Sequence, residues 1–147
     1  MKAFRVPSLL LLLAAGGCWP NPDPAPEEIA LERYQVAEQY FAEGKYHDAA
    51  IEYEYAIQHR WRWKAAYIRL AACHERTGRE DGAVSVYERL LKVDGSDEDA
   101  LRALGKIHAK RGDAARALPY YKKLQSLHPD DPALAAEVAR LEALRKP

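Results

Sequence analysis

The 147-residue chain carries no net charge, with 22 lysines and arginines against 22 aspartates and glutamates. That balance supplies no bulk positive field to hold nucleic acid and no acidic excess of the kind that keeps a tail solvated. Cysteine is scarce: Cys18 and Cys73 are the only two, so no disulfide framework can take the place of a core. Phenylalanine is scarce as well, two residues against nine tyrosines and three tryptophans. Rings with a polar end suit half-buried seams and contact surfaces. The sequence also lacks a glycine-rich phosphate loop, a GxSxG elbow and an interpretable pair of carboxylates. His74-Glu75 is followed by Gly78 rather than a second histidine, which breaks the zinc-protease pattern. These absences point away from an enzyme, and no cofactor or metal is expected.

The amino terminus is distinct from the rest. Lys2 and Arg5 give a positive start, Leu9 to Leu13 is an unbroken leucine run, and Ala14, Ala15, Gly16 and Gly17 are small residues suited to a peptidase cleft. The run is too short to cross a bilayer, which takes about 20 apolar residues. Residues 1–17 read as an export signal. Its end, Ala15-Gly16-Gly17-Cys18, resembles the lipobox of bacterial lipoproteins, with Ala15 where leucine is commonest. The resemblance implies a diacylglycerol on the Cys18 thiol, cleavage before it, and an acyl chain such as palmitate on the new amino terminus. Several chains, at about 0.8 kcal/mol per buried methylene, would anchor the protein stably. Trp19 stands where aspartate would favour inner-membrane retention in enteric bacteria, which implies the outer membrane, facing the periplasm. Without lipid the chain would be a soluble secreted adaptor. Pro20, Pro22, Pro24 and Pro26 make residues 18–26 an extended spacer of roughly 25 Å.

From residue 27 to 147 the sequence repeats itself. Gly44, Gly78 and Gly112 are 34 residues apart, as are Ala49, Ala83 and Ala117, and Tyr53, Tyr87 and Tyr121. Ala37, Ala71 and Gly105 form a small column on the same period. Three ungapped copies cover 30–63, 64–97 and 98–131. Apolar and small residues within a copy recur at helical spacings, and the glycine between them suits a helix end at positive φ. Each copy is predicted to be helix, glycine turn, helix. The stretches "YQVAEQYFAEGKYHDAAIEYEYAI" and "LRALGKIHAKRGDAARALPYYKKLQSLHPDD" resemble the tetratricopeptide repeat family. Pro129 fills that family's terminal proline column; Trp61 and Gly95 depart from it. The resemblance implies an all-α fold, a right-handed superhelical stack of three helix-turn-helix repeats. Residues 132–145 would add a capping helix over the last apolar face.

The resemblance also implies a protein or extended-peptide ligand along the concave face made by the first helix of each pair. Carried over column by column, that face holds Tyr34, Glu38 and Phe41, then Ile68, Glu75 and Arg76, then Arg102, Lys106 and Lys110. The last three are spaced i, i+4, i+8 and line one side of a helix, either as a solvated face or as a stripe reaching carboxylates on a peptide. Tyr34 and Glu38 replace the lysine and asparagine with which some family members clamp a carboxyl-terminal tail, so that clamp is not expected. Trp61 and Trp63, in "HRWRWK", have two readings: bulk at a repeat junction with Arg60 and Arg62 stacked on them, or an aromatic anchor for a partner or membrane. Cys73, His74 and His108 also have two: filler between helices, or a metal or catalytic site. The expectation is an envelope scaffold, anchored by lipid, that recruits a protein partner. Its architecture is similar to pilus pilotins and outer-membrane assembly lipoproteins.

Overall fold

The computed structural model describes residues 25–145; the leader, Cys18 and the spacer as far as Pro24 lie outside them. Among the described residues there are seven α-helices: α1 (Pro26–Ala42), α2 (Tyr46–His59), α3 (Lys64–Arg76), α4 (Glu80–Val93), α5 (Glu98–Lys110), α6 (Ala114–Leu127) and α7 (Pro132–Arg145). Each packs on the next along the chain, so the elements form a stack of antiparallel pairs.

The helix ends follow from local chemistry. Pro26 opens α1 at a position whose N–H would have no partner in any case. The Asp97 and Asp113 carboxylates accept from the backbone N–H of Ala100 and Arg116, each at 3.0 Å, capping α5 and α6. The Asp131 carboxylate accepts from Ala133 N–H at 2.8 Å. At the other end of each pair, Gly44, Gly78 and Gly112 have φ of 77°, 70° and 74°. The residue after each glycine donates to a carbonyl five positions back, Lys45 to Tyr40, Arg79 to His74 and Asp113 to His108, all at 2.9 Å. That is the left-handed helix stop of the Schellman type, made three times by the residue with least objection to it.

Packing explains the other columns. Ala37, Ala49, Ala71, Ala83 and Ala117 have no exposed surface, because they lie where helix backbones approach most closely. Tyr53, Tyr87 and Tyr121 fill the neighbouring gaps. Gly105 takes the small column in the third repeat because the Tyr121 ring leaves no room: a Cβ there would lie 2.8 Å from it. One apolar cluster runs from α1 through to α5; a second joins Leu101, Leu118, Leu124, Leu134, Val138 and Leu141, so α7 closes the third repeat.

Ion pairs tie each repeat to the next. Arg69 on α3 donates to Glu38 on α1 at 2.9 Å, and Arg89 on α4 grips Glu54 on α2 with two bonds of 2.7 and 2.9 Å. Lys64, at the start of α3, reaches Asp97 and Asp99 at 2.7 and 2.8 Å. Asp97 is buried, so its carboxylate needs that cation as well as the amide it caps.

Candidate peptide groove

The two halves of the face formed by α1, α3 and α5 differ in how far their polar groups are already satisfied. On α1, Tyr34, Glu38 and Phe41 share one side of the helix. Tyr34 stacks on Trp63 with centroids 4.4 Å apart and meets the edge of Tyr53 at 5.4 Å. Glu38 accepts the Tyr53 hydroxyl at 2.5 Å as well as the Arg69 guanidinium. Phe41 lies beneath that guanidinium, 5.1 Å from its centroid, and meets the edge of Tyr46 at 5.2 Å. Burial, and then the hydrogen bond to Glu38, push the Tyr53 hydroxyl well above its usual range. Burial and the Glu38 charge do the same to Tyr34 more mildly. Three residues expected to greet a ligand are thus partly committed to Tyr53, Trp63, Arg69 and Tyr46.

Between α3 and α5 the surface is more open. Ile68, Glu75, Tyr87, Arg102, Lys106 and Ile107 contribute to a concavity of about 450 Å³. Glu75, Lys106 and Ile107 also border an adjoining one of about 480 Å³ that reaches Lys110. The shared residues make the two a single groove with Ile107 as an apolar floor. The Tyr87 hydroxyl donates to Glu75 at 3.2 Å, holding that carboxylate to one wall. Lys110 pairs with Glu80 at 3.4 Å in an exposed, solvent-screened contact. Arg102 and Lys106 have no carboxylate within ion-pair distance among the described residues. Arg76 lies nearer the aromatic end, 3.4 Å from the Tyr46 hydroxyl.

The structure therefore brings Ile68, Glu75, Arg102, Lys106 and Lys110 into one groove and sets Tyr34, Glu38 and Phe41 in a cluster beside it. Sequence reasoning missed Ile107, Tyr87 and Asp99 as groove residues. Ile107 was within reach, one position past Lys106 on the same helix; Tyr87 and Asp99 enter only because α4 and α5 pack beside α3. Trp61 and Trp63, taken together from sequence, are separated. Trp63 is half-buried against Tyr34 with Arg60 over its ring at 5.0 Å, whereas Trp61 is 56% exposed with Arg62 over it at 4.5 Å.

Cys73 is fully buried and free, and burial pushes its thiol up to about 11, so thiolate is scarce at neutral pH. His108 is buried and stacks on Tyr120 with centroids 5.9 Å apart; His74 faces α4. Among the described residues no three His, Cys, Asp or Glu side chains converge on a common point where a metal ion could sit.

A stack of helix pairs with glycine stops and an open groove on one side defines a helical-repeat binding protein. The tetratricopeptide repeat family model matches residues 34–92 and 81–132, and the chain belongs to that family. A curated relative is the Protein CTR9 homolog of Arabidopsis thaliana, 28% identical over 102 residues. The match takes in 67% of this chain but 9% of that protein. Among solved structures, the first repeat domain of Spaghetti (RPAP3) bound to an HSP90 peptide superposes with a TM-score of 0.63 at 19% identity, covering 82% of this chain and 96% of that one. The Yersinia enterocolitica type III secretion chaperone SycD, in complex with a peptide of the translocator YopD, gives 0.64 at 17%, covering 81% and 96%. At these identities the likeness is one of fold.

Proposed function

We infer that this chain is a membrane-anchored scaffold of the bacterial cell envelope that binds a partner protein, or an extended segment of one, in the groove between α3 and α5. The observation that carries the reading is the pair Arg102 and Lys106, two cations without carboxylate partners beside the apolar floor of Ile107. A peptide with carboxylates next to an apolar side chain would satisfy both. That similar folds were solved with peptides bound supports a peptide as the ligand class. The inert Cys73 thiol supports a binding role over a catalytic one.

The anchoring half rests on the lipobox-like Ala15-Gly16-Gly17-Cys18 and the leader before it. It makes the scaffold an outer-membrane lipoprotein facing the periplasm that assists assembly of an envelope complex such as a pilus, a secretion channel or an outer-membrane machine. Two experiments test the halves separately. Affinity capture from envelope extract with Arg102→Glu and Lys106→Glu combined is expected to lose a partner that the wild type retains. Equal recovery of every partner would sink the groove assignment. Mass spectrometry of the mature amino terminus is expected to find an acylated Cys18; an unmodified one leaves a secreted adaptor.

A further inference from the structure

The antiparallel stack sends its connections to two ends. The glycine turns lie at one; residues 60–63, 94–97 and 128–131 lie at the other, where α1 also begins. The spacer therefore enters the domain at the end that carries Arg60, Trp61 and Arg62. Arg60 and Arg62 have no carboxylate within ion-pair distance among the described residues, and Trp61 has the largest exposed aromatic surface there. The other two connections at this end carry Asp94 in one, where Asp97 is buried against Lys64, and Asp130 and Asp131 in the other. Arg60 and Arg62 are thus two arginines without an ion-pair partner among the described residues at this end, set beside Glu27 and Glu28 in the first turn of α1 and away from α7.

We propose that the 60–62 loop is a second membrane contact, with Arg60 and Arg62 on anionic lipid headgroups and Trp61 at the interface. It rests on the lipid anchor proposed above for bringing this end to the bilayer. Three features favour a bilayer as the occupant. Tryptophan settles at the boundary between headgroup and acyl chain, where one side of the ring is apolar and its N–H is wet. Unpaired arginines complement an anionic surface. Cys18 lies only eight positions before Pro26, where α1 opens, and so short a stretch of chain keeps the loop within reach of that surface. Trp63, pinned on Tyr34, holds the loop's base, and Trp61 beside it is left exposed. With the acidic loops repelled, the domain would stand on its first repeat and hold the α3–α5 groove to the side, clear of the lipid.

The test uses the mature protein in vesicles of phosphatidylcholine and phosphatidylglycerol whose acyl chains are brominated, a quencher of tryptophan at short range. Wild type is expected to be quenched more than Trp61→Phe, and the difference is to disappear in pure phosphatidylcholine. Arg60→Gln and Arg62→Gln should each lower the ratio of contacting to free loop by about fivefold. Melting temperature should move little, since these side chains are exposed and each gives up a single ring contact. If Cys18 is acylated and the Trp61 share is not quenched, the loop contact is wrong and the anchor stands. If Cys18 is unmodified and Trp61 is still quenched on anionic vesicles, the anchor is wrong and the contact stands. Absence of quenching together with loss of a protein partner in Trp61→Ala would reassign the loop to a protein interface and overturn the proposal.

Discussion

Two grooves on the second-helix side of the stack occupy equivalent places one repeat apart, yet their walls differ in polarity. The first, about 450 Å³, is bordered by Ala50, Ile51, Tyr55, Leu70 and His74. The second, about 540 Å³, is bordered by Val84, Ser85, Glu88, His108, Arg116 and Tyr120. Ile51 and Ser85 hold the same position in their repeats, as do Tyr55 and Arg89, and Gly82 and Arg116. Ile51 and Tyr55 are half-exposed, which makes the first groove the more apolar of the two although His47, Glu54, Gln58 and Arg79 also border it. His74 lies against the bare backbone of Gly82 with its Nδ1 buried and unpaired, while His108 is covered by the flat face of Tyr120. The backbones agree because glycine, alanine and tyrosine columns set where helices meet. The surface differs because the remaining columns carry no such duty, and these are the columns in which a partner's identity can be written.

The comparison can be broken first at what the grooves share. Leu70 and Leu104 occupy one column and are both buried, so Leu70→Ala and Leu104→Ala should each cost about 2–5 kcal/mol in urea unfolding. Values differing by more than that spread would mean that the repeats do not share one frame.

Room, not identity, should separate the next pair. An alanine Cβ at Gly105 would meet the Tyr121 ring, which the core holds fixed, so Gly105→Ala should destabilise by about 1–3 kcal/mol. At Gly82 the Cβ would meet His74 Nδ1 at 2.6 Å, but that ring borders an open groove and can swing into it. With about 1 kcal/mol of helix propensity gained, Gly82→Ala should cost no more than about 1 kcal/mol. The His74 ring resonances should shift; unchanged resonances would show that the ring is as fixed as Tyr121.

The smallest effect is in pH. Burial, then Arg79, hold His74 below the usual imidazole value of 6.5, with His47 adding to the same direction and Glu54 opposing it. The unfolded chain therefore binds a proton more readily than the folded one. The contribution of His74 to stability is complete above about 6.5 and is lost as pH falls from there through the lower folded value. In His74→Leu this part of the stability profile should be flat; a profile like that of the wild type would assign the acid sensitivity to another group.

Much of this was legible in the sequence because the repeat reports the same physical demand three times. The glycines at 44, 78 and 112 are where a left-handed residue is needed, and all three have it. The capping helix was legible from apolar spacing after Pro132. The site was legible only in part. Arg102, Lys106 and Lys110 could be placed on one face of α5 by counting, since their relation is local. That Glu38 is engaged by Tyr53 and Arg69, that Lys110 meets Glu80, and that Trp61 and Trp63 face different surroundings all depend on side chains from separate helices.

The sequence by itself therefore determined the period, the turns, the helices and their order, because each of these is set within one repeat by φ preference and helical spacing. Only the tertiary structure decided which charges remain unpaired, which tryptophan is exposed, and that a 450 Å³ groove opens beside Ile107. Those properties belong to contacts between repeats, where each side chain's environment is made by residues some thirty positions away whose approach no local pattern encodes.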